Sequence, residues 1–406
     1  MSIFYKIVIA VLSAGLMSVS CSTDGGGKDE QCPQIILDSD IGSSYDDLIA
    51  LAMLHTYERQ GKCRLAGMVV DRMGEDCALT ADVVNTWYDR PDLPLALVRD
   101  GIPDPAVWID YRDMAEYRDA EGNRLFRNSG RKMSGIPDGY ELYRQLLSRA
   151  DDNSVEICCI GFLTALSQLL ESGPDEYSEL SGVELVRRKV RCLYVTGGGF
   201  DGTQEPDYNF AQGLSFTRTF FNLWPEDVDV ILSPTEVGQR IDYTPLQVQE
   251  DYPAGHPFHE MLRHCKADEG QRMWDPLVVI NAVEGDGLFR ISERGRVILG
   301  EDAGTSFETD PQGNFRYHIP GDDKWNERML DLIRRVSTSL HPCPAPLSQQ
   351  YRGIRGTRKS SMNGSSGSAA SPNTTPSGDR LQQRNQPESN LQDDVLHPSF
   401  HGEYGR

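Results

Sequence analysis

Four carboxylates, Asp38, Asp40, Asp46 and Asp47, fall within ten residues in the run Ile35-Ile36-Leu37-Asp38-Ser39-Asp40-Ile41-Gly42-Ser43-Ser44-Tyr45-Asp46-Asp47. Like charges at this density repel strongly unless a cation gathers them. Oxygen-only ligands select a hard cation, calcium or magnesium. A helix N-terminus also favours negative charge. Capping a helix that starts at Asp46 explains one or two of the four carboxylates, not all of them. A carboxylate beside such a cation can also take a proton from water.

The elements around this run must hold it in place. An apolar strand over 35–37 precedes it and a helix over 46–57 follows. Further strands are predicted over 65–70, 155–160, 190–195 and 228–232. Helices over 77–88, 163–170 and 214–222 alternate with them. This alternation predicts an α/β fold: an open, mostly parallel sheet with helices on both faces. Sites in such sheets lie at the carboxyl ends of strands, where the acidic run falls. Residues 296–320 predict a β-hairpin with a tight turn near Gly313, and residues 325–336 a final amphipathic helix.

The acidic run resembles the N-terminal signature of the inosine/uridine-preferring nucleoside hydrolases: a strand, Asp-x-Asp-x-Gly, then an Asp-Asp pair opening a helix. The resemblance extends from about residue 34 to about residue 320. The run Ile157-Cys158-Cys159-Ile160-Gly161-Phe162-Leu163-Thr164 is similar to the family's strand ending in Gly-x-Leu-Thr. Gly197 to Asn209 is similar to its Gly-rich loop, and Trp274-Asp275-Pro276 to its late Asp-Pro motif. The family fold is an open α/β sheet, in agreement with the strand and helix pattern. The resemblance implies hydrolysis of the N-glycosidic bond of a ribonucleoside or related N-riboside, with Ca2+ as cofactor. Asp40, Asp47 and Asp275 match its side-chain calcium ligands, and Ile160 the residue that offers a backbone carbonyl. In the family the cation also holds the ribose 2′- and 3′-hydroxyls and the attacking water. Asp40 then takes the water's proton as general base, and Asp46 binds a ribose hydroxyl. Asp207 and Asn209 hold the ribose near its 5′-hydroxyl. The chain departs from the pattern in three places. Two extra residues separate Asp40 from Asp46 compared with the shortest family motif. Trp274 replaces the His associated with leaving-group protonation, and Asp71-Arg72-Met73 stands where an Asn usually follows the second strand. Trp274 is then a stacking platform for a base or a packing residue.

Two other functions compete. Asp38-Ser39-Asp40 also resembles the start of a haloacid-dehalogenase-type phosphatase, with Asp38 as nucleophile, but no Thr follows at the expected place. A non-catalytic sugar- or nucleoside-binding surface lipoprotein would not need a base at Asp40. Gly197-Gly198-Gly199 lacks P-loop spacing. His256, His259 and His264 cluster in a loop with Pro253 and Pro257 and predict solvent exposure or leaving-group contacts before a metal site.

A formal net charge of −21 disfavours a nucleic-acid-binding face and favours a small-molecule nucleoside substrate. The apolar run 7–17 is too short to span a bilayer. Ser18-Val19-Ser20-Cys21 after it is similar to a bacterial lipoprotein cleavage site, with a plain signal peptide or an anchor helix as the alternatives. The expected organisation is a signal peptide at 1–21, a flexible tether at 22–33, a nucleoside hydrolase-like domain at 34–340 and a disordered tail at 341–406, poor in apolar residues. The expected location is periplasmic or cell-surface, with membrane contact only through a lipid on Cys21. Homo-oligomerisation is left open. The other eight cysteines show no zinc spacing, and Cys158, Cys159 and Cys192 read as buried small hydrophobes.

Overall fold

The computed structural model describes residues 32–339 apart from Gln204 and Glu269. The expected signal peptide, nearly all of the tether and the tail lie outside the described residues. In chain order the strands are β1 (Gln34–Ser39), β2 (Arg64–Val70), β3 (Leu95–Leu97), β4 (Val155–Cys159), β5 (Val190–Thr196) and β6 (Asp229–Ser233), then β7 (Asp242–Tyr243), β8 (Gln271–Arg272), β9 (Arg290–Ile291), β10 (Gly295–Leu299), β11 (Thr305–Thr309) and β12 (Phe315–Ile319). The helices are α1 (Asp46–Arg59), α2 (Glu75–Trp87), α3 (Gly139–Arg149), α4 (Thr164–Glu171), α5 (Gly182–Lys189) and α6 (Tyr208–Gln212), then α7 (Leu214–Leu223), α8 (Thr235–Gly238), α9 (Pro245–Asp251), α10 (Pro257–Cys265), α11 (Asp275–Glu284) and α12 (Asp323–Ser337).

The main sheet runs β11-β10-β12-β6-β5-β4-β1-β2-β3, with β9 paired to β12. From β3 to β12 every neighbour is parallel. Side chains alternate between two apolar layers, as strand geometry requires. Ile35 and Leu37 of β1, Cys158 of β4 and Tyr194 of β5 enter a core with α1, α2, α11 and α12. Ile36, Ile157, Leu193 and Val195 enter the opposite core with α3, α4, α5 and α7. Both faces are covered, so the central strands are apolar at nearly every position.

Local chemistry sets the helix starts. Asp138 and Glu141 form a capping box on α3, Ser181 and Glu184 on α5, and Thr244 and Gln247 on α9. By contrast, α1 and α11 have no side-chain cap. Their first-turn carboxylates, Asp46, Asp47 and Asp275, face each other instead.

The open, mostly parallel sheet agrees with expectation, but the C-terminal hairpin differs in detail. The antiparallel pair is β10 with β11, closed by the turn 300–304. The segment at Gly313 links β11 to β12, which lie on opposite sides of β10. Gly313 is required by crowding: a Cβ there would sit 2.0 Å from the Gly295 carbonyl oxygen. Strand β12 then joins β6 in parallel and extends the main sheet. The short β3 and the helix α3 were not anticipated. The seven described cysteines are free, and Cys158, Cys159 and Cys192 are buried. No helix among the described residues is long and apolar enough to cross a membrane.

Candidate active site

Because β1, β2, β4, β5 and β6 are parallel, their carboxyl ends share one edge. Asp40 follows β1, Arg72 follows β2, Ile160 and Gly161 follow β4, Gly197 follows β5, and Thr235 follows β6. The turn after β4 presses on the turn after β1. The Ile160 N–H donates to the Asp38 carbonyl at 2.7 Å. A Cβ on Gly161 would lie 2.4 Å from the Asp40 amide nitrogen, so glycine is needed for this approach.

Helices α1 and α11 add three carboxylates to the same edge. One oxygen from each of Asp46, Asp47 and Asp275 can be chosen so that all lie within 4.8 Å of one another. All three are buried. Ser39 Oγ donates to Asp47 Oδ1 at 2.5 Å, and the Trp274 N–H reaches Asp46 Oδ2 at 3.4 Å. Asp46 Oδ1 is buried with no partner. Burial, followed by the charges of neighbouring carboxylates, pushes Asp47 and Asp275 well above the ordinary range. Burial likewise raises Asp46 to about 6. A set of oxygen ligands that converges this closely, with an orphaned buried oxygen on one of them, fits a hard cation, which would displace the protons that burial favours. Metal–oxygen distances of about 2.3–2.6 Å place ligands on such an ion at this spacing.

The structure assigns the predicted residues different surroundings. Asp40 is not in the converging trio. Its Oδ2 accepts from Arg72 Nη2 at 3.0 Å, and its carbonyl accepts from Arg72 Nε at 3.0 Å. Asp207 caps α6 through the Phe210 N–H, and its second oxygen accepts from Thr235 Oγ1 at 3.0 Å. Burial raises its carboxyl to about 6. Asn209 Nδ2 donates to the Thr196 carbonyl at 3.2 Å. The Trp274 indole N–H donates to the Thr235 carbonyl at 2.9 Å, and its ring lies against Gly238. Helix α8 therefore ties Trp274 to Asp207.

Two residues of this edge were missed. Arg72 was noticed only as a departure, and it is the cation that pairs with Asp40. Trp108 gave no signal, lying far from any motif. It is 63% exposed and its ring meets Tyr208 at 4.6 Å. The segment carrying it folds over the acidic turn: the Trp108 N–H donates to Ser43 Oγ, and Tyr111 Oη donates to the Ser44 carbonyl.

Other expectations are corrected or resolved. Asp38 is fully buried and its Oδ2 accepts from Tyr143 Oη at 2.7 Å, so it cannot serve as a phosphatase nucleophile. Asp71 accepts from the Thr164 and Ala165 amides and so holds the start of α4. The amides of Gly199 and Phe200 donate to Thr305 and Glu236, which leaves them no phosphate to cradle. His256 is buried, where solvent exposure was expected, and it caps α10, which begins at Pro257 in place of the expected loop. His259 bonds the Tyr252 carbonyl, and His264 packs on Tyr117. A surface cleft of about 800 Å³ lies elsewhere, lined by Pro91, Ser129, Arg131 and Pro137, with none of the converging carboxylates.

No protein-family profile and no curated protein matches the sequence. Solved structures do match. A plant nucleoside hydrolase, PpNRh1, superposes with a TM-score of 0.55 at 16% identity, over 76% of this chain and 100% of its own. The inosine-uridine preferring nucleoside hydrolase from Bacillus anthracis gives 0.54 at 15%, over 76% and 100%. The type III effector protein XopQ, solved with adenosine diphosphate ribose, gives 0.53 at 17%, over 77% and 95%. The fold is that of the nucleoside hydrolases.

Proposed function

We propose that this chain hydrolyses the N-glycosidic bond of a ribonucleoside or related N-riboside, and that calcium is its cofactor. The observation that carries the reading is the convergence of Asp46, Asp47 and Asp275, one of which has a buried oxygen without a partner. The fold supports it. Similar structures include nucleoside hydrolases and one protein solved with adenosine diphosphate ribose; a ribosyl group is common to nucleosides and that ligand.

Asp47 and Asp275 would hold the cation, with an oxygen of Asp46 within reach of it, and the family resemblance adds Asp40 and the Ile160 carbonyl as further ligands. When bound, the cation supplies Lewis-acid activation of water and an anchor for the ribose diol. Asp40 takes the proton of the attacking water. Arg72 occupies its Oδ2, so Oδ1 is the basic oxygen. Asp46 accepts a ribose hydroxyl through its unpartnered Oδ1. Asp207 and Asn209 border the 5′ side, and Trp274 forms the wall toward the leaving group. The transition state is a ribosyl oxocarbenium ion, and a carboxylate-lined edge stabilises its developing positive charge.

The test is release of ribose from inosine, uridine and adenosine, with and without a chelator. Asp40→Asn should cut the rate by at least about a hundredfold, the low end for loss of a general base. Full activity in that variant or in excess chelator overturns the mechanism. Binding of a nucleoside without turnover supports the non-catalytic lipoprotein instead.

We also place the enzyme outside the cytoplasm, held by a lipid on Cys21, on the basis of the apolar run and the small residues before that cysteine. Cys21→Ser should then release soluble or unprocessed protein. Unchanged fractionation with membranes identifies the apolar run as an anchor helix.

A further inference from the structure

Arg72 is nearly inaccessible, with 1% of its side chain exposed, yet it lies beside a cluster that needs positive charge. All three nitrogens of its guanidinium are engaged. Nε and Nη2 grip the carbonyl and carboxylate of Asp40, and Nη1 donates to the Pro105 carbonyl at 3.3 Å. Nη2 also reaches Ala106 O at 3.5 Å and Tyr208 Oη at 3.4 Å, and the group lies 5.5 Å from the Phe162 ring centre. With these contacts made and 1% of the side chain exposed, it is poorly placed to reach a substrate anion. Asp40, the carboxylate it grips, lies outside the trio that can share an ion, Asp46, Asp47 and Asp275.

We propose that Arg72 is a positioning residue that competes with the metal for Asp40, and so weakens cation binding while holding the acidic turn together when no metal is bound. The inference rests on the calcium reading above. The physics is direct. A fixed positive charge 3.0 Å from Asp40 Oδ2 repels an incoming cation and occupies an oxygen the cation would use. The same charge offsets one carboxylate of a cluster that otherwise repels itself. Removing it leaves Asp40 buried and unpaired, which is costly until a metal arrives. Lysine cannot replace it fully, because a single ammonium does not reproduce the fork that spans the carbonyl and carboxylate of one residue.

The experiment is calcium titration by calorimetry, together with thermal unfolding in chelator, on the full chain and on Arg72→Gln and Arg72→Lys. The expected result for Arg72→Gln is a calcium Kd tighter by about tenfold or more. In chelator its Tm should fall by about 5 °C or more. Arg72→Lys should fall between the two proteins in both readouts, and it carries the test if the glutamine variant does not fold. A Kd equal to or weaker than that of the natural chain overturns the proposal and shows that Arg72 builds the metal site. The natural chain's own titration judges the calcium reading separately. Binding only in the Arg72 variants upholds the competition and removes calcium as the natural chain's cofactor. Absence of binding in all three overturns both.

Discussion

Burial raises the proton affinity of the converging carboxyls and lowers that of the buried histidines His55 and His256. At the carboxylate edge, burial raises Asp46 to about 6 and Asp47 and Asp275 further. In the second cluster His55 stacks on Tyr88 at 5.0 Å, and His256 packs between Tyr252 and Trp87. There, burial pushes both histidines down to about 3. Each cluster also contains buried polar atoms without partners: Asp46 Oδ1 in one, His55 Nδ1, Tyr88 Oη, Tyr252 Oη and His256 Nε2 in the other. Orphaned atoms and shifted groups alone therefore do not mark a site. The difference is geometry. A histidine becomes neutral by staying deprotonated, and neutral rings pack against each other. The carboxyls become neutral only by holding protons, and theirs are the oxygens that converge within 4.8 Å, where a cation can replace those protons.

The largest effect that tests this comparison is at the acidic cluster. Asp275→Ala should lower turnover by about a thousandfold, the scale of losing metal-based charge stabilisation. The residual rate should be insensitive to chelator. An Asp275→Ala enzyme that still responds to calcium would mean that the trio is not the metal site.

Next is the calcium-induced shift in Tm. At a hundred times Kd, calcium should stabilise the fold by about 2.7 kcal/mol. Ligand carboxylates must lose protons to bind, so affinity falls as pH falls through their folded values. With Asp46 at about 6, the shift measured by scanning calorimetry should be clearly smaller at pH 5 than at pH 8 at fixed calcium. A shift independent of pH would show that these groups do not meet the ion.

The histidine cluster gives a weaker signal, read without calcium. His55 takes a proton near 6.5 in the unfolded chain but only near 3 in the fold. Between those values the unfolded state binds more protons, so this residue costs stability as pH falls. In urea unfolding, His55→Gln should gain on the natural chain by up to about 2 kcal/mol between pH 7 and pH 5. A constant difference across that range would mean that His55 is not held neutral.

The smallest effect is expected at Trp274. Its indole N–H is fixed to the Thr235 carbonyl, so the ring is a wall and not a proton donor. Trp274→Ala should raise KM by about fivefold, near the low end for a base stacked on an aromatic ring, and change kcat less. A large loss of kcat with KM unchanged would make Trp274 an organiser of the catalytic groups.

The sequence by itself determined the parallel sheet and its carboxyl edge. Apolar strand segments such as Ile35-Ile36-Leu37 alternate with helices, and a strand buried on both faces must be apolar throughout. It also determined that Asp38 to Asp47 crowd together, because a turn between strand and helix keeps near neighbours near. Residues far apart in the chain obeyed no such constraint. Asp275 could be paired with Asp46 only through a family resemblance, and it is the packing of α11 on α1 that brings them within reach. Gly313 read as a turn residue, whereas the need for glycine there comes from Gly295, which is remote in sequence. Arg72 read as a missing Asn. Tertiary structure turned it inward, because a buried guanidinium must find carbonyl and carboxylate partners, and the turn after β1 supplies both through Asp40.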